Sequence, residues 1–118
     1  MIKDFKDLLV WQKGMDLVCE IYRLTKLLPK EEIYGLCNQM QRAAVSVPSN
    51  IAEGQSRTST KEFVQFLSIA KASNAELETQ LLICNRLEFL SMPQTQVALC
   101  LCKEIGKMLN SLMSSLTV

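Results

Sequence analysis

A chain of 118 residues, 13 of them Lys or Arg and 12 Asp or Glu, carries a formal net charge of +1 and has no histidine. Its length suits one domain spanning residues 1–118 and burying roughly two-thirds of its unfolded surface, while the interspersed charges exclude the strongly basic signature of a dedicated DNA-binding protein. The missing histidine excludes the Glu-x-x-His pairs of di-metal bundles, and no Lys or Glu is placed as a base for a Ser or Cys nucleophile, so neither enzymatic activity nor a cofactor or metal is expected.

The opening MIKDFKDLLVWQKGMD has no apolar core long enough for an export signal, because Lys13 and Asp16 interrupt it soon after Leu8–Trp11. The longest apolar run, Val97 to Cys102, falls far short of a membrane span, so a cytoplasmic protein with no membrane partner is expected. A first helix is predicted from about Leu8 to Leu28, with Asp7 as its N-cap and Trp11, Met15, Val18, Ile21, Tyr22, Thr25 and Leu28 on one face; Pro29-Lys30 closes it. A second starts near Glu31-Glu32, acids suited to a helix N-terminus, and sets Ile33, Leu36, Met40, Ala44, Val47 and Ile51 at spacings of three and four, straight through Pro48.

Ser59-Thr60-Lys61-Glu62 reads as a capping box opening a third helix, in which Ser59 and Glu62 satisfy each other's backbone N–H. Its stripe is Phe63, Phe66, Ala70, Asn74, Leu77, Leu81 and Cys84, out to about Phe89, with Asn74 as a buried, register-setting amide. After a break at Ser91-Met92-Pro93 the fourth helix repeats the pattern with Val97, Leu101, Ile105, Met108, Leu112 and Leu116. Four amphipathic helices joined by short loops predict an all-α, antiparallel up-down-up-down four-helix bundle.

Hydrophobic residues are 48% of the chain, more than one such bundle needs. Val64, Ile69, Leu82, Ile83, Leu90, Leu99, Leu109 and Met113 lie off the stripes, and a second apolar surface covered by another copy of the chain is the expectation. The five cysteines, at 19, 37, 84, 100 and 102, form no CxxC pair and read as reduced core thiols.

Pro48 inside a helix deletes its bond to the Ala44 carbonyl and should bend the segment at a cost of roughly 3 kcal/mol, with Ser46 and Ser49 able to bond freed backbone groups. Gly54 fits a left-handed position just past a helix end, making Asn50–Glu53 the last turn. That structural account suffices without any ligand. A functional account stands beside it: Asn50, Glu53, Gln55, Ser56, Arg57 and Lys61 cluster near one end of the bundle, where side-chain donors and helix N-terminal amides could meet a phosphate. Arg42, Arg57, Lys61 and Lys71 are the candidate nucleic-acid contacts; with aromatics at 6% and mostly on core stripes, no stacking platform is evident.

The run Arg42-Ala43-Ala44-Val45-Ser46-Val47-Pro48-Ser49-Asn50-Ile51-Ala52-Glu53-Gly54 resembles the central signature of the 23S rRNA-intervening sequence proteins, bacterial four-helix-bundle proteins. Asp7-Leu8 with Val10-Trp11-Gln12-Lys13 resembles the family's opening, and Lys61-Glu62-Phe63, Phe66-Leu67, Ile69-Ala70, Ser73, Glu76, Glu78 and Leu81 resemble its third helix. The resemblance implies an antiparallel bundle assembled into a homo-oligomeric five-fold ring, a pentamer. It also implies kinship with accessory proteins of diversity-generating retroelements, which bind nucleic acid and a reverse transcriptase. RNA or DNA association is therefore the leading expectation, and a scaffold or adaptor for a partner protein is the alternative.

Overall fold

The computed structural model describes residues 4–117; Met1 to Lys3, the start of the stretch read above as no export signal, and Val118 lie outside the described residues. A short 3-10 turn (Phe5–Asp7) leads into α1 (Leu9–Thr25). A 3-10 turn (Lys30–Glu32) and a π turn (Ile33–Cys37) then feed α2 (Asn38–Gln55), followed by α3 (Thr60–Arg86) and α4 (Met92–Leu116). No strand occurs among the described residues.

Each helix carries a strict alternation of four- and three-residue steps on its buried side. On α1 the line is Val10, Gly14, Leu17, Ile21 and Leu24, with Leu28 just beyond; on α2 it is Met40, Ala44, Val47, Ile51 and Gly54. On α3 it is Leu67, Ala70, Asn74, Leu77, Leu81 and Cys84, and on α4 Thr95, Ala98, Cys102, Ile105 and Leu109. This repeat keeps one seam of each helix turned towards its neighbours. Each helix packs on those that flank it in sequence, and α1 also packs on α4.

The α2 and α3 stripes agree with the sequence reading over most of their length, since Met40, Ala44, Val47, Ile51, Ala70, Asn74, Leu77, Leu81 and Cys84 are all buried. Those of α1 and α4 are rotated by about one residue. Met15 and Tyr22 are exposed, and the line runs through Gly14 and Leu17 instead. On α4 Val97 is 58% exposed and the line runs through Thr95, Ala98 and Cys102; Leu109 and, after α3, Leu90 are core residues. Gly14, Thr95 and Ala98 carry little hydrophobic signal, yet small residues are what let helices approach closely.

Several local expectations are also corrected. Asp7 caps nothing: Asp4 accepts from the Lys6 N–H at 2.9 Å, and α1 starts after Leu8 without a side-chain cap. The second helix does not start smoothly at Glu31, because Gly35 takes φ −111° and ψ −109° and the regular helix begins only at Asn38, leaving Ile33 exposed. Ser59 caps α3 by accepting from Glu62 N–H at 3.1 Å, but its partner reaches the Ser59 hydroxyl rather than the backbone. The reciprocal capping box lies instead at Ser91 and Gln94, opening α4.

Pro48 is buried and α2 continues through it. The ring sits on α1, where a Cβ added to Gly14 would lie 3.3 Å from Pro48 Cβ and 3.5 Å from Cδ. Pro48→Ala restores the lost N–H bond and relieves the clash, worth about 3 kcal/mol, but forfeits two buried ring methylenes at about 0.8 kcal/mol each. Urea unfolding should show a gain of about 1 kcal/mol or no change; a clear loss would mean that the ring's seat over Gly14 dominates.

Candidate nucleic-acid interface

Gly54 is not a helix stop. It lies inside α2, no glycine has positive φ, and a Cβ at this position would come within 2.7 Å of Phe66 Cβ and 3.2 Å of the Phe63 carbonyl oxygen. The glycine is there because α2 and α3 cross closely at this end. Ser56 then caps the helix through its N–H to the Ala52 carbonyl at 3.2 Å, and four residues, Ser56–Ser59, separate the two helices.

At this tip Arg57 is committed to the protein itself. Its guanidinium bonds Glu53 at 2.8 Å, lies 3.9 Å from Glu62, and stands 4.8 Å over the Phe66 ring. Lys61, in the first turn of α3, and Lys71, about 15 Å further along that helix, are exposed and form no salt bridge among the described residues. Arg42 lies about 22 Å from Arg57 along α2, so the four basic residues do not meet in one patch.

Inward of the tip, Ser46 ties α2 to Ser73 of α3, and Asn50 braces Ser46 from within α2. The Ser46 and Ser73 hydroxyls are 2.8 Å apart, and Asn50 Nδ2 donates to the Ser46 carbonyl at 2.8 Å and to its hydroxyl at 2.9 Å. Ser46 thus serves the helix–helix seam rather than the carbonyl freed by Pro48. The signature residues Ser46, Pro48, Asn50 and Gly54 all act where α2 meets α1 or α3.

Above this seam opens a polar groove of about 420 Å3, lined by Asn38, Gln39, Arg42, Ser46, Ser73 and Glu76. A second groove of about 380 Å3 lies on the other side of the same arginine, between α1 and α2, lined by Tyr22, Asn38, Gln41, Arg42, Val45 and Ser46. Arg42 is therefore the wall shared by two clefts, exposed and with no salt bridge among the described residues. Tyr22 escaped the sequence reading because the predicted α1 stripe placed it in the core; the competing line through Gly14 would have turned it outward.

A third, apolar groove of about 550 Å3 lies between α3 and α4, lined by Leu82, Met92, Pro93, Leu99 and Cys100 with Glu78 and Lys103 at its rim. Cys37, Cys84 and Cys102 are buried, but Cys19 and Cys100 are exposed, which corrects the reading of all five as core thiols. Burial pushes the Cys84 thiol up to about 11 and Cys102 up to about 12. Cys37 is raised as well, by burial first and then by Glu32. A thiol-reactive disulfide reagent at pH 7 should thus label two cysteines rapidly and the remaining three only after urea is added; fast labelling of more than two would contradict this burial pattern.

The architecture is that of an all-α protein of four packed helices with a polar α2–α3 seam, and no helix among the described residues is long and apolar enough to cross a membrane. The 23S rRNA-intervening sequence protein family model matches residues 6–111, and the chain belongs to that family. It is also similar to the crystal structure of a protein of unknown function from the S23 ribosomal protein family of Bacteroides thetaiotaomicron. The two share 26% identity and a TM-score of 0.83, over 89% of this chain and 98% of that one. A search of curated proteins finds no match.

Proposed function

We propose that the protein is a non-enzymatic nucleic-acid-binding protein of the cytoplasm, an antiparallel up-down-up-down bundle whose copies assemble into a homo-oligomeric, five-fold ring. The observation that carries the binding reading is Arg42, an exposed guanidinium without a salt bridge among the described residues, set between two grooves inside the family's signature stretch. Lys61 and Lys71 add exposed charge on α3, whereas Arg57 contributes less because Glu53 and Glu62 already neutralise it. One copy offers a weak phosphate site; repetition round a ring multiplies it through effective concentration.

Contacts that run in opposite order along neighbouring helices support the alternating directions: Thr25–Gln41 and Gly14–Pro48 between α1 and α2, Met40–Cys84 and Gly54–Phe66 between α2 and α3, and Asn85–Thr95 and Asn74–Cys102 between α3 and α4. Assembly is supported by α3, the least amphipathic of the four helices, whose outward side exposes Ile69, Leu82 and Ile83. The apolar α3–α4 groove equally favours the alternative, a scaffold or adaptor that holds a partner protein.

Fluorescence anisotropy against a labelled structured RNA and an unrelated DNA, at low and near-physiological salt, tests the reading. Saturable binding that weakens steeply with salt supports it. Replacing Arg42, Arg57 and Lys61 together by Glu should abolish that binding, and unchanged affinity would remove the basic residues from the account. Absence of binding at either salt shifts the weight to the scaffold. Light scattering gives the copy number in the same samples.

A further inference from the structure

The chain has two tyrosines, and both are turned to solvent: Tyr22 is 43% exposed and Tyr34 94%. Tyr22 lines the α1–α2 groove together with Asn38, Gln41, Arg42 and Val45. Tyr34 stands in the π turn that precedes α2, four residues before Asn38, and Arg42 follows Asn38 one helical turn on. In the α1–α2 groove an exposed aromatic ring, two side-chain amides and a guanidinium with no salt bridge among the described residues thus come together.

We propose that this α1–α2 face binds single-stranded nucleic acid, with an unpaired base stacked on Tyr22 and its phosphate held by Arg42. This rests on the nucleic-acid reading above and adds to it the form of the ligand. An unpaired base offers its face to the Tyr22 ring and its edge to the Asn38 amide, a donor and an acceptor, and to the Gln41 carbonyl oxygen, since Gln41 Nε2 already donates to the Thr25 hydroxyl at 3.0 Å. In a duplex those faces are stacked and closed to a side chain. Stacking also asks little net charge of the protein, since every base has an aromatic face.

Charges around the groove fit this use. On α1 the nearest acid, Glu20, is held by Arg23 at 2.6 Å, and Lys26, one turn beyond Tyr22, is exposed. Glu32 turns its carboxylate back to the Leu36 N–H at 3.2 Å. Glu76 lines only the groove on the far side of Arg42 and accepts from Gln80 at 3.2 Å. Tyr34 offers a second exposed aromatic surface in the α1–α2 connection, four residues before Asn38.

The test uses the full-length protein and three fluorescently labelled ligands: a twelve-nucleotide oligo-uridine, the matching oligo-deoxyuridine and a duplex of mixed sequence and equal length. The expected result is tighter binding of both single strands than of the duplex. Tyr22→Ala should weaken the single strands by about 5- to 100-fold, and Tyr22→Phe, which keeps the ring, should restore most of the affinity. A preference for oligo-uridine would place the 2′-hydroxyl in the groove, and equal binding would place only base and phosphate there. Duplex binding as tight as that of the single strands, or indifference to Tyr22→Ala with an unchanged melting curve, overturns the single-strand site but leaves the nucleic-acid reading standing. No binding of any of the three overturns both.

Discussion

Gly54→Ala is expected to destabilise the protein by about 2 kcal/mol, although the same change inside an ordinary helix would stabilise it by about 1 kcal/mol. The added methyl would lie 2.7 Å from Phe66 Cβ, 3.0 Å from Phe63 Cδ1 and 3.2 Å from the Phe63 carbonyl oxygen. Phe63 can swing its ring aside, but Phe66 Cβ and a backbone oxygen move only if α3 moves. Relief therefore requires α2 and α3 to separate at the tip, and overpacking of this kind costs typically 1–3 kcal/mol. We expect the upper part of that range, because the obstructing atoms are fixed to the backbone, less the gain in helix propensity. With a denaturant slope of about 2 kcal/mol per molar, the urea midpoint should fall by about 1 M. A midpoint that rises would show that the two helices part at this crossing without loss of packing.

Asn74→Asp should have a still larger effect near neutral pH. The Asn74 side chain is 4% exposed and its Nδ2 donates to the Cys102 carbonyl at 2.8 Å, joining α3 to α4. Its Oδ1 is buried without a partner, so nothing awaits a negative charge. An aspartate here replaces a donor by an acceptor facing another acceptor and buries an uncompensated charge, a change that costs of order 3–5 kcal/mol. The sign of the pH dependence follows from the neutral form being favoured in the fold. The folded-state carboxyl must lie above its unfolded value of about 3.9, so the penalty is absent below that pH and grows as pH rises through the interval between the two values. Thermal melts of the variant should approach those of the parent protein near pH 4 and fall away towards pH 7. A penalty independent of pH would mean that the loss comes from packing rather than from charge.

Both substitutions probe positions that the sequence marked for other reasons or only in part. Asn74 was legible as a buried amide, because a single polar residue in an otherwise apolar heptad line is carried into the core with its neighbours and must find a hydrogen bond there. Gly54 was legible as special but not as what it is: local rules offer a left-handed cap, and only the approach of α3 reveals a contact surface. Arg57 and Arg42 exchanged importance for the same reason. Arg57 sat in the conspicuous polar tip, yet folding brings Glu62 from the next helix to join Glu53 around it. Arg42 sat in an ordinary helical run, and folding leaves it without a salt bridge among the described residues and in one groove with a tyrosine assigned to the core.

By itself the sequence determined that the chain is all-helical, that it has four helices, where α3 and α4 begin, and to which family it belongs. Those features depend on residues within a few positions of one another: periodic apolar side chains, a serine before a helix, a proline just inside one, and a continuous signature. Tertiary structure alone decided which of two adjacent stripes on α1 and α4 faces inward, because the buried line there passes through glycine, threonine and alanine, whose burial is rewarded by the close approach of another helix. It also decided which cations remain available and which aromatic ring meets solvent, since both depend on residues that only folding makes neighbours.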